Sequence, residues 1–251
     1  MPIPRIDFNC DLGEGCDDAA VLPYISSASI ACGFHAGDPP LMQRTIRLCI
    51  DHGVAIGAHP SLADRENFGR RAMAISAGEA YALVLYQVGA LAALANAAGT
   101  RLQHVKPHGA LYNMAAADAA LAEAIARAVR DADDRLILFG LAGSALTAAG
   151  ERLGLRVAHE VFAERRYEAD GTLTPRSHAD AQIHDAGSAV AQVQQILREG
   201  GVTARTGERI ALRADTLCLH GDRPDAAAFA RALRESLAAE GVQVMAPGES
   251  R

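Results

Sequence analysis

Short runs of β-forming residues alternate with longer, Ala-rich helical stretches along the 251-residue chain. This alternation constrains the fold most, because a strand, a crossover helix and the next strand pack as a parallel unit. The predicted strands are residues 6–10, 27–32, 54–58, 102–106, 135–139, 155–161 and 212–219, with 242–245 as a candidate short final strand. The predicted helices are residues 39–52, 77–98, 115–130, 144–153, 188–199 and 225–239. About seven parallel strands fit either a closed barrel or an open, doubly wound sheet.

Polar side chains gather where six of these seven strands end. They are Asn9, Asp11 and Glu14; His35 and Asp38; His59, Asp64 and Arg65; His104, Lys106, His108, Tyr112 and Asn113; Glu160, Glu164, Arg165 and Arg166; and His220 and Asp222. Parallel α/β folds bind ligands at the carboxyl ends of strands, and a barrel mouth collects residues from nearly all of them. A doubly wound sheet uses few strands, at a switch point. We therefore predict a single α/β domain over residues 1–251, a (β/α) barrel.

The segment His104-Val105-Lys106-Pro107-His108 carries the densest chemistry. Alternate residues of an extended chain share a face, so we expect His104, Lys106 and His108 to point together into the mouth. A lysine there can bind a carboxylate or take part in proton transfer. The competing interpretation is an ion pair that stabilises the fold, with Asp11 or Glu14 as partner.

A metal site is a second possibility. Asp11, His35, His59 and His108 can supply ligands for zinc or manganese from separate strands, although no compact motif such as HExxH occurs. The sequence also lacks a Walker A loop, GxGxxG and GxSxG, and therefore has no recognisable ATP or dinucleotide site of its own. Cys32 and Cys218 end strands, where buried structural thiols are the expected interpretation.

Charge and cysteine content narrow the class of protein. A net charge of −6 and a pI near 5.8 argue against nucleic acid or an anionic membrane as the partner. Five cysteines without a CxxC pair argue against a disulfide framework and indicate a reducing compartment. The first residues show no signal-peptide pattern, and no apolar run is expected to reach the length of a membrane span. We expect a cytoplasmic protein.

Six motifs resemble the family of 5-oxoprolinase A subunits, also called LamB/YcsF-like. They are DFNCDLGEG at residues 7–15, SSASIACGFHAGD at 26–38, IGAHPS at 56–61, FGRR at 68–71, HVKPHGALYN at 104–113 and DTLCLHGD at 215–222. The match runs in order from about residue 5 to residue 235. Small departures occur at Glu164, at Cys16-Asp17 and at residues 177–180.

The resemblance implies a seven-stranded barrel similar to those of glycoside hydrolases and deacetylases. It also implies a complex with partner subunits B and C that hydrolyses ATP while opening the lactam of 5-oxo-L-proline to L-glutamate. Asp11 or Glu14 is the candidate general base, His59 and His108 are proton or oxyanion partners, and Lys106 is an electrostatic anchor. The further candidate contacts for substrate are Asn9, His35, Arg165 and His220.

Two other functions fit the same residues. One is a metal-dependent amide hydrolase or sugar deacetylase that acts alone, and the other is a non-catalytic docking subunit.

The loop at residues 162–185 is longer than ordinary strand-to-helix connections, so we expect a mobile flap over the mouth, with a tight turn at Asp170-Gly171.

Overall fold

Seven parallel strands form a closed barrel in the computed structural model, which describes residues 4–220 and 225–248. The barrel strands are β1 (Arg5–Leu12), β2 (Ser27–Ala31), β3 (Ala55–His59), β4 (His104–Val105), β5 (Ile137–Leu141), β6 (Arg156–Phe162) and β9 (Thr216–His220). The sheet closes because β9 pairs with both β6 and β1, aligning Thr216 with Glu160 and with Asp7. The prediction of a barrel rather than an open sheet is confirmed. Strand β10 (Gln243–Val244) pairs with the start of β1.

Helices connect most of the strands. They are α1 (Asp18–Val21), α2 (Pro39–His52), α3 (Ala77–Ala97), α4 (Gly109–Ala117), α5 (Ala119–Ala132), α6 (Ala145–Arg152), α7 (Ala186–Glu199) and α8 (Ala226–Ala239). Asp38 caps α2, and its side chain accepts from Leu41 N at 2.8 Å. The single helix predicted at residues 115–130 is wrong. Asp118 interrupts it, because its side chain accepts from the backbone N–H groups of Ala120 and Leu121 and starts α5.

The expectation that no apolar run reaches the length of a membrane span is wrong for α3. Its 21 residues are long and apolar enough to cross a membrane by length and composition. In the barrel, however, α3 packs against α5 and β3. Gln87 of α3 is fully buried, accepts from Ser61 N and donates to Ser61 O, both at 2.9 Å. The helix is therefore one of those that surround the barrel, and its buried glutamine fixes the loop that follows β3.

The connection from β6 to β9 departs most from the sequence prediction. It contains a two-stranded antiparallel hairpin, β7 (Gly201–Thr203) and β8 (Arg209–Ala211), which was not predicted. The strand predicted at residues 212–219 was placed too early, since β9 begins at Thr216. Residues 212–215 instead lead from the hairpin to the barrel.

The lower barrel interior is filled by side chains rather than by a channel. The His104 ring stacks on Phe139, with ring centroids 4.2 Å apart, and its Nε2 lies 3.2 Å from Ser29 Oγ. Gly57 makes room for this ring, because a Cβ there would lie 2.2 Å from the imidazole. Deeper still, Asp7 accepts hydrogen bonds from Ser26 and Thr216. Burial raises the pKa of Asp7 to about 6, although these hydrogen bonds oppose the shift.

Candidate active site

Lys106 lies at the centre of the barrel mouth, two residues after His104. Its ammonium is 2.6 Å from Asp11 Oδ1 and 3.1 Å from Glu160 Oε1, and it donates to Asn9 Oδ1 at 2.7 Å. The Asn9 amide in turn donates to Glu160 and to Thr216. Lys106 is also the only lysine among 24 Lys and Arg residues. A single buried lysine in a chain whose other cations are arginines is a sequence signal that would have singled out this residue.

The charge states of this group follow from its geometry. Burial alone would lower the pKa of Lys106, but the Asp11 carboxylate, followed by Cys218 and Glu160, raises it well above its ordinary value. Burial alone would raise the pKa of Asp11, but His59 and then Lys106 hold it well below its usual range. At neutral pH the two groups are therefore a buried ammonium and a carboxylate.

Three histidines and a glutamate lie beside this ion pair. The His35 and His108 rings stack with centroids 3.7 Å apart, and His35 Nε2 is 2.8 Å from Glu14 Oε1. His59 Nε2 is 3.2 Å from Asp11 Oδ2 and 2.9 Å from His108 Nδ1. The cluster thus joins the ends of β1, β2, β3 and β4 at one end of the barrel.

Backbone carbonyls fix the orientation of two of these imidazoles. His59 Nδ1 donates to Lys106 O at 2.7 Å, and His108 Nε2 donates to Phe68 O at 2.8 Å. The remaining nitrogens, His59 Nε2 and His108 Nδ1, therefore face each other and need a shared proton or a cation between them. Burial, followed by the charge of His59, lowers the pKa of His108 well below its ordinary value. Burial likewise lowers the pKa of His35 to about 2.

The same cluster has the composition of a cation site. The carboxylate of Glu14 and ring nitrogens of His35, His59 and His108 lie within 4.8 Å of one another. A second group with this property is Asp11, Cys218 and His220. Nitrogen and carboxylate ligands of this kind suit zinc or manganese. The parallel stacking of His35 on His108 makes simultaneous ligation by both rings unfavourable, because their in-plane lone pairs do not converge.

A cavity of about 380 Å³ opens above these groups. Asp11, His59, Lys106, His108 and His220 line it, as do Glu160, Tyr112, Arg70, Arg165 and Arg176. The described lining does not include Asn9, Glu14, His35 or His104. Asn9 and His104 lie below the cavity. Glu14 and His35 lie behind it, where both contact His108. The structure therefore brings together the nine residues proposed as catalytic groups or substrate contacts, and six of them line the cavity.

Glu160 and Tyr112 are members of the site that the sequence placed near strand ends but did not mark as site residues. Glu160 is fully buried on β6, where both faces of a parallel strand are covered and no alternation sets a functional position apart. Burial, and then the neighbouring Glu160 charge, raises the pKa of Tyr112 well above its ordinary value. Its hydroxyl therefore stays protonated beside the carboxylate.

The long loop after β6 covers part of the cavity. Thr172, Leu173, Pro175 and Arg176 line it, and Gly171 takes a φ of 84° in the predicted turn. Tyr167, however, is fully buried, and its hydroxyl accepts from Phe162 N at 2.8 Å. The base of the loop is thus part of the core, and the mobility of its tip stays a prediction.

His220 ends the last barrel strand at the edge of the cavity. Its Nδ1 lies 2.5 Å from the Glu164 carboxylate, and its ring stacks on Phe162 with centroids 5.9 Å apart. These contacts hold the imidazole at the mouth, as the sequence predicted. The two other residues of that strand exit, Gly221 and Asp222, lie outside the described residues.

The fold and site define an α/β-barrel protein with a buried, charge-paired polar mouth, an arrangement typical of enzymes. A deacetylase bound to its substrate has a related fold, with a TM-score of 0.50 and 14% identity over 97% of this chain and 88% of that one. This likeness concerns the fold alone.

Residues 6–251 match the model of the LamB/YcsF family, and the chain belongs to that family. The A subunit of 5-oxoprolinase from Bordetella pertussis is 57% identical over 97% of this chain and 99% of that protein. The structure of a lactam utilization protein from Thermus thermophilus superposes with a TM-score of 0.90 and 46% identity, covering 96% of this chain and 99% of that one.

Proposed function

We propose that this chain is the A subunit of an ATP-dependent 5-oxoprolinase, which opens the lactam of 5-oxo-L-proline to give L-glutamate together with subunits B and C in the cytoplasm. The observation that carries the proposal is the Asp11–Lys106–Glu160 group at the floor of the cavity, beside His59 and His108. Full-length similarity to proteins named as A subunits of 5-oxoprolinase supports the same conclusion.

The site has groups for each step of lactam hydrolysis. Asp11 accepts a proton from the attacking water, assisted by His59, whose Nε2 is 3.2 Å away. Lys106 stabilises negative charge that develops on the carbonyl oxygen, since it stays protonated and borders the cavity. The C–N bond then breaks, and the His59–His108 pair delivers a proton to the departing ring nitrogen. In the assembled complex ATP is coupled to these steps by phosphorylating the carbonyl oxygen, and a second water releases phosphate from the resulting γ-glutamyl phosphate.

Glu14 takes a positioning role in this scheme rather than that of the base. It contacts His35 at 2.8 Å and His108 at 3.5 Å, behind the cavity. Asn9 likewise orients Lys106 and Glu160 from below. Both assignments favour Asp11 over Glu14 as the group that meets water.

The test is an assay of glutamate formation from 5-oxoproline and ATP, using this chain with and without subunits B and C. We expect glutamate only from the complete mixture, because the sequence contains no phosphate-binding loop. Robust turnover by the purified single chain with ATP would contradict this division of labour. Loss of glutamate formation in the complete mixture with Asp11→Asn, and not with the exposed Asp51→Asn, would support the role of Asp11.

A second candidate function is a metal-dependent amide hydrolase that acts alone, and the histidine–glutamate cluster favours it. A divalent cation there would polarise a carbonyl or activate water. This function predicts stoichiometric zinc or manganese in the purified chain and amide hydrolysis without ATP that a chelator abolishes. Unchanged activity of the complete complex after metal removal would eliminate it.

A further inference from the structure

Arg165 is a buried cation at the cavity that forms no ion pair within residues 4–220 and 225–248. Its side chain lies three residues beyond β6, and the residue is 4% exposed. Its guanidinium donates to Thr174 O at 2.7 Å, while its buried Nε has no hydrogen-bond partner among the described residues. Burial, and then the nearby charge of Arg176, lowers the pKa of Arg165 to about 10.

The backbone around Arg165 is held in place without a ligand. Gln192 of α7 donates to the carbonyl oxygens of Phe162 and Arg165, both at 2.9 Å. Arg165 also forms an isolated β-bridge with Gln182 across the base of the loop. A fixed backbone and an incompletely paired side chain together describe a preorganised donor that faces the cavity.

The other charges in the cavity disfavour an anion at its floor. Lys106 is committed to Asp11 and Glu160, so this group of three carries one positive and two negative charges. Glu164, the sequence neighbour of Arg165, contacts His220 instead. The anionic end of a ligand is therefore favoured at Arg165 rather than at the floor, where Lys106 faces the uncharged amide. The role of electrostatic anchor, expected for Lys106, suits Arg165 better.

We propose that Arg165 binds the oxyanion of the ligand, a carboxylate or a phosphoryl group, and so orients an uncharged amide toward Asp11 and Lys106. A planar guanidinium fork matches either oxyanion with two parallel hydrogen bonds. That the ligand carries an amide rests on the proposed function, whereas the binding of an oxyanion rests on Arg165 alone.

The test measures binding to the full chain of three probes: 5-oxoproline, inorganic phosphate and 2-pyrrolidinone, which is the same lactam without the carboxylate. Arg165→Gln should weaken the anionic probes about 30-fold or more, as expected when one partner of a buried charge pair is removed. Binding of 2-pyrrolidinone should stay unchanged. Arg166→Gln is the matched control, since this neighbouring arginine is exposed and the change in charge is identical. Arg165→Lys keeps the charge without the fork and should restore binding in part.

Thermal unfolding separates this role from a structural one. Removal of an unneutralised buried charge should leave the melting temperature of Arg165→Gln unchanged or raise it. Equal weakening of all three probes, no weakening of any, or failure of the wild-type chain to bind either anion would overturn the inference. Wild-type binding of phosphate without either lactam would support the anion site and contradict the proposed function. Selective loss of 5-oxoproline or of phosphate in Arg165→Gln would support the inference and identify which oxyanion the residue takes.

Discussion

Replacement of Lys106 by Met tests whether one cation holds two buried carboxylates together. The ammonium is 2.6 Å from Asp11 and 3.1 Å from Glu160, whose side chains are 5% and 0% exposed. Removing one partner of a buried ion pair costs about 3–5 kcal/mol. Because two carboxylates lose their partner here, we expect the upper half of that range, about 4–5 kcal/mol. At about 2–4 °C per kcal/mol for a chain of this size, the melting temperature should fall by about 8–20 °C.

Urea unfolding and calorimetry at pH 7 measure this loss. The double variant Lys106→Met/Asp11→Asn removes both members of the shorter pair, and should therefore be more stable than the single variant Lys106→Met. A control, Arg101→Met, removes an exposed cation and should change stability little. If Lys106→Met loses no more than the control, or if Asp11→Asn adds to its loss in full, the buried ion pair does not stabilise the fold and the reasoning is refuted.

Lys106 and two other buried positions, Asp7 and Gly57, give further predictions. The single lysine should give one ¹³Cε NMR signal that does not titrate below pH 10.5, because the pKa of Lys106 is raised. The stability that Lys106 contributes is present below pH 10.5 and is lost as the pH rises through its folded-state pKa. The folded-state pKa of Asp7 is about 6 against 3.8, so the wild type should lose about 2.4 kcal/mol of stability relative to Asp7→Asn between pH 4 and pH 7, measured by urea unfolding. A constant difference across that range would contradict the assignment. Gly57→Ala should displace the His104 ring and lower the melting temperature. The control Gly89→Ala, on the open face of α3, should raise the melting temperature slightly. Equal effects of the two substitutions would show that Gly57 is not in close contact with His104.

The barrel and its mouth were predictable because the chain places polar residues where parallel strands end. That rule found Asp11, His59 and Lys106 without any contact information, and the order of the motifs supported the family. The rule also placed Glu160 and Glu164 at the end of one strand, but it could not show which of them contacts Lys106. Hydrophobic periodicity carries no signal on a strand whose two faces are both buried, so the contact between Glu160 and Lys106 required the structure.

The sequence also could not show how deep in the barrel each residue of a strand lies. The expectation that His104 would share the mouth with Lys106 was right about the face of the strand and wrong about the layer. Two residues of a strand span about 6.6 Å, enough to place His104 among the packed rings below the cavity. Arg165 illustrates a further limit, since the sequence suggested a contact for substrate but could not show that Glu164 is paired with His220.

The closure of β1 against β9 makes the site a late product of synthesis. Asp11 aligns with His220 across the last seam of the barrel, so residues from opposite ends of the chain must meet before the mouth exists. While the ribosome is still making the connection after β6, strands β1 and β6 have unpaired edges, which are prone to join other chains. A product truncated before β9 would lack His220 at the mouth and would leave the edges of β1 and β6 without their partner.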